Sequence, residues 1–254
     1  MIYISHLMED EILAELLEEG RKRGEVLGVE SIEFGIGFEL DKLPQTLKSY
    51  EKRLEKLGRP PLTLHGPFLD LNGASYDTRI QKATRERFQQ AYDAAEYLGA
   101  SKIVYHSGFI PQIYLEEGWA ERMAQFWTEF LDGKGESIQI CMENVLDRNY
   151  RLVREVCERI NHPAFALCLD IGHAHVYSPY PVEEWIVELG KYAGHIHLHD
   201  NRKDKDSHLA LGEGTIPVEK VLKLLKKHCS QATCTLENRT KEEVLQSLER
   251  IGIM

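Results

Sequence analysis

Short apolar runs that alternate with polar residues recur along the chain, separated by longer stretches whose apolar residues return every three or four positions. The first pattern belongs to strands and the second to amphipathic helices, so the alternation predicts βα units and a parallel sheet. Eight strands are predicted, at residues 2–5, 29–34, 62–66, 102–107, 138–143, 165–170, 195–200 and 232–237, each followed by a helical stretch. Helical spacing is carried by Phe88, Ala91, Ala95 and Leu98, by Leu152, Val156 and Ile160, and by Val244, Leu248 and Ile251. Gly58 and Gly99 follow periodic runs as C-terminal glycines do, and Thr240 with Glu243 fits a capping box. No linker or low-complexity stretch divides the sequence, so residues 1–254 read as a single domain. Eight such pairs in about 250 residues is the length of a (β/α)8 TIM barrel, an α/β fold whose reactive groups collect at the carboxyl ends of the strands. A doubly wound sheet would need a glycine-rich phosphate loop after its first strand, and Ser5-His6-Leu7-Met8-Glu9-Asp10 is not one.

Successive strand residues point to opposite faces, so parity assigns side chains to the helix layer or to the barrel axis. In the third strand Leu62 and Leu64 oppose Thr63 and His65; in the fourth, Ile103 and Tyr105 oppose Val104 and His106. The fifth sets Ile138, Ile140 and Met142 against Cys141 and Glu143, and the sixth sets Leu167 and Leu169 against Cys168 and Asp170. The seventh sets Ile196 and Leu198 against His195, His197 and His199, and the eighth opposes Leu236 to Thr235 and Glu237. In all six the large apolar set suits the helices, and the other face ends in His, Glu or Asp at one mouth. Glu143, Asp170 and Glu237 would then share a partly desolvated pocket, where repulsion is relieved by protonation or by a cation. Nearby imidazoles favour a metal, and mixed nitrogen and oxygen donors suit zinc, manganese or iron better than calcium. His173, three residues after Asp170, and the D-x-H pair Asp206 and His208 offer a further position just beyond the strand ends.

Composition narrows the partners. Lys plus Arg number 31 against 41 Asp plus Glu, a formal balance of −10, which excludes a basic nucleic-acid coat. The hydrophobic fraction of 43% and charged fraction of 28% are those of a globular chain. No run approaches the ~18 apolar residues of a spanning helix and the start lacks an export signal, so a soluble, cytoplasmic chain without a membrane partner is expected. Cys141, Cys157, Cys168, Cys229 and Cys234 are odd in number, form no C-x-x-C pair and read as reduced packing thiols.

Taken in order, His65-Gly66-Pro67, His106-Ser107-Gly108, Glu143-Asn144, Asp170-Ile171-Gly172-His173, His197-Leu198-His199-Asp200, Asp206-Ser207-His208 with Leu211-Gly212-Glu213-Gly214, and Leu236-Glu237-Asn238 carry a family signature. The chain resembles the xylose isomerase-like TIM barrels of AP endonuclease family 2, which include endonuclease IV and sugar isomerases and epimerases. The resemblance to endonuclease IV implies three zinc ions on nine side chains. His65, His106 and Glu143 would hold the first; Glu143 would bridge to a second held by Asp170, His197 and Glu237; His173, Asp206 and His208 would hold the third. Similar sugar enzymes use one divalent ion at the Glu143, Asp170, His197 and Glu237 positions. The stretch Phe34-Gly35-Ile36-Gly37-Phe38-Glu39-Leu40-Asp41 departs from endonuclease IV, lacking its basic, amide-rich DNA contacts, and Phe68-Leu69 is a pair that both groups carry.

The leading expectation is therefore a zinc-dependent hydrolase of phosphodiesters, with manganese or magnesium as other possible ions, acting on a small molecule rather than DNA. Water activated by the first two ions would attack phosphorus, and the third would neutralise the departing oxygen. The alternative is a sugar or sugar-phosphate isomerase or epimerase in which one ion stabilises an enediolate while Glu143 or Glu237 moves protons. A non-catalytic metal or ligand binder is the third. His195 is expected to be a packed core histidine; His199, His175 and Asp200 to orient ligands; His6 to line the pocket or cap a loop. His162 and His228 read as surface residues at helix ends, Trp119, Trp127 and Trp185 as packing anchors, and the lysines of Lys220–Lys227 as a solvated helix face.

Overall fold

A computed structural model of the chain describes residues 1–253. Eight parallel strands, β1 (Ile2–Ser5), β2 (Leu27–Ser31), β3 (Leu62–His65), β4 (Lys102–His106), β5 (Gln139–Glu143), β6 (Phe165–Asp170), β7 (Ala193–Leu198) and β8 (Thr233–Leu236), close in sequence order into a TIM barrel. Closure is made by β1 against β8, with Ile2 opposite Cys234 and Ile4 opposite Leu236. Helices fill every connection, among them α1 (Asp10–Lys22), α2 (Gly37–Leu40), α3 (Leu43–Lys56), α4 (Thr78–Leu98), α5 (Trp119–Leu131) and α6 (Tyr150–Arg159). Two more, α7 (Ile171–Tyr177) and α8 (Val182–Leu189), lie between β6 and β7, with α9 (Val218–His228) before β8 and α10 (Lys241–Arg250) after it.

Local chemistry fixes these bounds. Asp77 and Asn149 accept first-turn amides of α4 and α6, Thr240 and Glu243 form the expected capping box of α10, and Gly99 ends α4 at φ +72°. Six strands fall within one residue of the predicted bounds at each end, and two are displaced further. β2 starts two residues earlier and stops at Ser31, whose hydroxyl accepts the amide of Glu33 and turns the chain, so that Phe34 packs edge-on against Tyr50 instead of extending the strand. β7 likewise starts at Ala193 and ends at Leu198, because Asp200 pairs in antiparallel fashion with Leu209.

The predicted parity is realised as two separate apolar groupings. Leu64, Ile103, Tyr105, Ile140, Met142, Leu167, Leu169, Ile196, Leu198 and Leu236 belong to the core between barrel and helices, together with Trp119, Trp127 and Trp185, all fully buried. On the axis a second, smaller apolar grouping holds Val104, Cys141, Ala166 and Cys168. The remaining axial space is polar: Glu30, Thr63, His195 and Thr235 are each at zero exposure. An uncompensated carboxylate there would cost several kcal/mol, so the layer stands only because its donors are in place. All five cysteines are free thiols, and among the described residues no helix is long and apolar enough to cross a membrane.

Candidate metal centre

The carboxyl ends of β3 to β8 bring the predicted ligands to one rim. Glu143, the last residue of β5, faces two ways. Its Oε2 lies 3.3 Å from His65 Nε2 and 3.5 Å from His106 Nε2, while its Oε1 lies 3.4 Å from His197 Nδ1 and 3.2 Å from His173 Nδ1. His197 Nδ1 is also 3.3 Å from Glu237 Oε1 and 3.8 Å from Asp170 Oδ2. Beyond the strand ends, Asp206 Oδ2 lies 3.4 Å from His173 Nε2 and 2.9 Å from His208 Nε2. Seven of the nine line a cavity of about 560 Å³ at the barrel mouth; Asp170 and His197 lie beneath its floor.

His65, His106 and Glu143 form one compact set of ligand atoms, and Glu143, Asp170 and His197 another, with Glu237 at the edge of the second. The third position differs from the expectation in one respect. His199, expected only to orient ligands, forms compact sets itself, with Asp170 and His173 and with His208 and Glu237, and Asp206 joins His173 to His208.

The donor set fits divalent ions. Two donors each about 2.1 Å from a tetrahedral ion lie about 3.4 Å apart, whereas hydrogen-bonded pairs usually lie at about 2.7–3.2 Å. The contacts of Glu143 with His65, His106 and His197 fall at the longer separation. His197 Nδ1 is buried without a hydrogen-bond partner although three carboxylates surround it. An orphaned imidazole nitrogen among carboxylates is the arrangement a cation resolves.

Without a metal, protons balance the cluster. Burial alone would raise the Glu143 carboxyl, but His197, His106 and His173 hold it well below the usual range. Burial works against the charged form of His173 too, yet Asp170, Asp206 and Glu143 lift it well above an ordinary imidazole. His208 is likewise lifted to about 9 by Asp206 and Glu237 despite desolvation. His106, the most weakly compensated, is driven by burial down to about 3. The extra protons on His173 and His208 occupy lone pairs that a metal would take.

One group was not anticipated. Glu30 of β2 sits below the rim with Oε2 accepting from Thr63 Oγ1 at 3.1 Å and Thr235 Oγ1 at 2.8 Å and lying 3.0 Å from His195 Nε2. Its Oε1 is 2.9 Å from His197 Nε2, out of line for a good hydrogen bond. A carboxylate behind Nε2 keeps the proton on that nitrogen and turns the Nδ1 lone pair to the rim. His195 is the hydrogen-bonded core histidine expected, since it also contacts Thr233 and Thr235.

The other histidines separate by their partners. His6 lines the cavity and is held by Tyr50 and Asp10, the latter bound by Arg53. His175 contacts Thr215 Oγ1 at 2.9 Å, away from the ligand set. Asp200 accepts the amides of Gly212, Gly214 and Ile216, so it shapes the Leu211-Gly212-Glu213-Gly214 loop rather than a ligand. Phe68 stacks on His106 at 4.7 Å and meets His65 edge-on at 5.4 Å, forming an apolar wall with Leu7, Ile32 and Ile36. Among the described residues, Arg239 is the one Lys or Arg on the cavity wall.

Residues 24–251 match the family model described as xylose isomerase-like TIM barrel. An uncharacterized protein of Methanocaldococcus jannaschii is 28% identical over 221 residues, covering 81% of this chain and 73% of the relative. A probable endonuclease 4 of Mycobacterium leprae is 25% identical over 240 residues, covering 87% of this chain and 90% of the relative. Among solved structures, a D-tagatose 3-epimerase-like protein superposes with a TM-score of 0.77 at 24% identity, covering 98% of this chain and 94% of the other.

Proposed function

Because the chain belongs to the xylose isomerase-like TIM barrel family, we propose that it is a metal-dependent phosphodiester hydrolase using two or three divalent ions on a small anionic substrate. The observation that carries this reading is the two-sided carboxylate of Glu143, with His65 and His106 on one oxygen and His197 and His173 on the other. A single-ion enzyme has no use for the first set. The similarity to a probable endonuclease 4 supports the same choice. Zinc fits the imidazole and carboxylate donors best, with manganese and magnesium as the other candidates.

Ions bound there would supply a water of near-neutral pKa and positive charge for the phosphoryl oxygens. The protein's part is to hold and enclose. Glu143 and Asp170 stay ionised, Glu30 keeps His197 Nδ1 free, and Phe68, Ile32 and Ile36 give an apolar wall for a leaving group. Arg239 meets the substrate's negative charge at the rim. A mouth of about 560 Å³ suits a small molecule. The balance of −10 gives a duplex little to hold.

The test is metal content together with turnover. Two to three equivalents of retained zinc and hydrolysis of bis-para-nitrophenyl phosphate, reduced by about 100-fold in His208→Ala, are expected. One exchangeable manganese and a rate indifferent to that substitution would overturn the proposal. The convergence of Glu143, Asp170 and Glu237 on His197 Nδ1 favours a second reading, a single-ion sugar isomerase or epimerase. Ketose turnover by the one-manganese protein would establish it. If neither ester nor ketose reacts with fully metallated protein, metal or ligand binding alone is the function.

A further inference from the structure

His199 is fully buried, and its Nδ1 has no hydrogen-bond partner. That nitrogen lies 3.6 Å from Asp206 Oδ1, itself buried and unpartnered. Two facing buried groups left unsatisfied at that distance are too far apart for a good hydrogen bond and close to the spacing of two ligands on one ion. The other nitrogen is engaged. His199 Nε2 lies 3.2 Å from Asp170 Oδ2, so a proton on Nε2 is donated there and the Nδ1 lone pair is turned towards Asp206. The ring stacks on His208 at 4.1 Å and 9°, and meets His173 edge-on at 5.7 Å.

Space for this ring is made 27 residues earlier in the sequence by one missing side chain. A Cβ on Gly172 would come within 2.0 Å of His199 Cε1 and 2.4 Å of its Nδ1. Gly172 lies inside α7 and outside the positive-φ region, so the backbone does not require glycine there. The ring does.

We propose that His199 Nδ1 is a fourth protein ligand at the third metal position, beside His173, Asp206 and His208, and that Gly172 is the residue that admits it. The inference rests on the multi-ion reading above. Four protein ligands slow the exchange of a zinc ion, which can still expand to five-coordinate to meet a substrate oxygen, so the third ion is the one held longest.

The experiment is chelator competition on the zinc-loaded protein, followed by metal analysis and by visible spectra of the cobalt-substituted form. Wild type, His199→Asn, His199→Gln, Gly172→Ala and the Gly172→Ala/His199→Asn double variant are compared, with thermal midpoints of the metal-free proteins to verify folding. Expected are three ions in wild type with the last resisting chelation. Each single variant should weaken that ion by more than the roughly 10–100-fold that losing a supporting partner costs. The cobalt bands should change in the His199 variants, and the double variant should be no weaker than His199→Asn alone. Four variants, two of them alternative His199 replacements, keep the test open if one fails to fold. Retention of the last ion within about tenfold, an extra ion in His199→Asn, additive losses, or fewer than three ions in wild type would each overturn the proposal. Failure of the hydrolase reading is separate: three retained ions with no ester turnover would refute that reading and leave the ligand assignment standing.

Discussion

Replacing Glu30 by glutamine changes one atom that touches no substrate and should still cripple the metal centre. Oε2 receives the Thr63 and Thr235 hydroxyls and faces His195, so the amide oxygen settles there and the NH2 group falls at the Oε1 position. That places a donor 2.9 Å from His197 Nε2. His197 relieves the conflict only by moving its proton to Nδ1, the atom 3.4 Å from Glu143 and 3.3 Å from Glu237. A metal must then displace a proton before it binds. The loss expected for such a supporting carboxylate is about 10–100-fold in affinity, or about 1.4–2.7 kcal/mol. Zinc titration against a chromophoric chelator reads the change directly, and the fold-loss should be the same at every pH where the ring is neutral, because moving a proton between its two nitrogens takes up and releases none. Thr63→Val, which removes a donor but leaves the carboxylate, should weaken zinc by much less. An affinity for Glu30→Gln within twofold of wild type, with the fold intact, would refute the tautomer argument.

Three further outcomes follow from the same groups. His208, lifted to about 9 in the folded metal-free protein against an ordinary 6.5, contributes stability that is complete below about pH 6.5 and lost as pH rises through 9, at most about 3 kcal/mol. Urea unfolding of the metal-free protein at pH 6 and 9.5 should show that loss in wild type, less of it in His208→Ala, and none of it from this residue once zinc is bound. Asp147 has the opposite sign: burial lifts it to about 6 against the hydrogen bonds from Ser107 and the Val145 amide, so it destabilises the fold progressively between about pH 4 and 6. Asp147→Asn should remove up to about 3 kcal/mol of that pH dependence, and parallel unfolding curves for the two proteins across the interval would exclude the assignment. Arg239→Ala should raise KM for an anionic ester by about threefold to tenfold with kcat nearly unchanged, since the side chain is exposed and contributes binding alone; a loss confined to kcat would contradict a rim contact.

Barrel, strand count and rim were legible because each rests on a short period. Alternation along a strand decides which side chains face the axis, and closure of the sheet does the rest, so His65, His106, Glu143, Asp170 and Glu237 follow from position alone. Strand ends were less legible because side chains set them: the Ser31 hydroxyl stops β2, and the Asp200–Leu209 pairing stops β7. Glu30 carried a usable signal. Gly28 and Glu30 share the face opposite Leu27, Val29 and Ser31, and the parity argument applied to the other strands assigns that face to the axis. Its mid-strand position sets it apart from the rim ligands, and a carboxylate there is explained only by the polar layer around it.

That polar layer also explains why the rim works as more than a ring of ligands. Glu30 fixes His197 from below, and Asp170 fixes His199 from the side, so each imidazole presents one chosen nitrogen to the carboxylates beside it. Local reading cannot find the second of these. In Asp170-Ile171-Gly172-His173 the glycine looks like a spacer between two ligands, yet the atoms it makes way for belong to β7's extension. The identity of residue 172 is set by the ring at position 199, and the ring's use is set by the unpaired oxygen of Asp206. One residue of α7 and two of the connection after β7 thus define one position, and each has a plain local explanation until the distances between them are known.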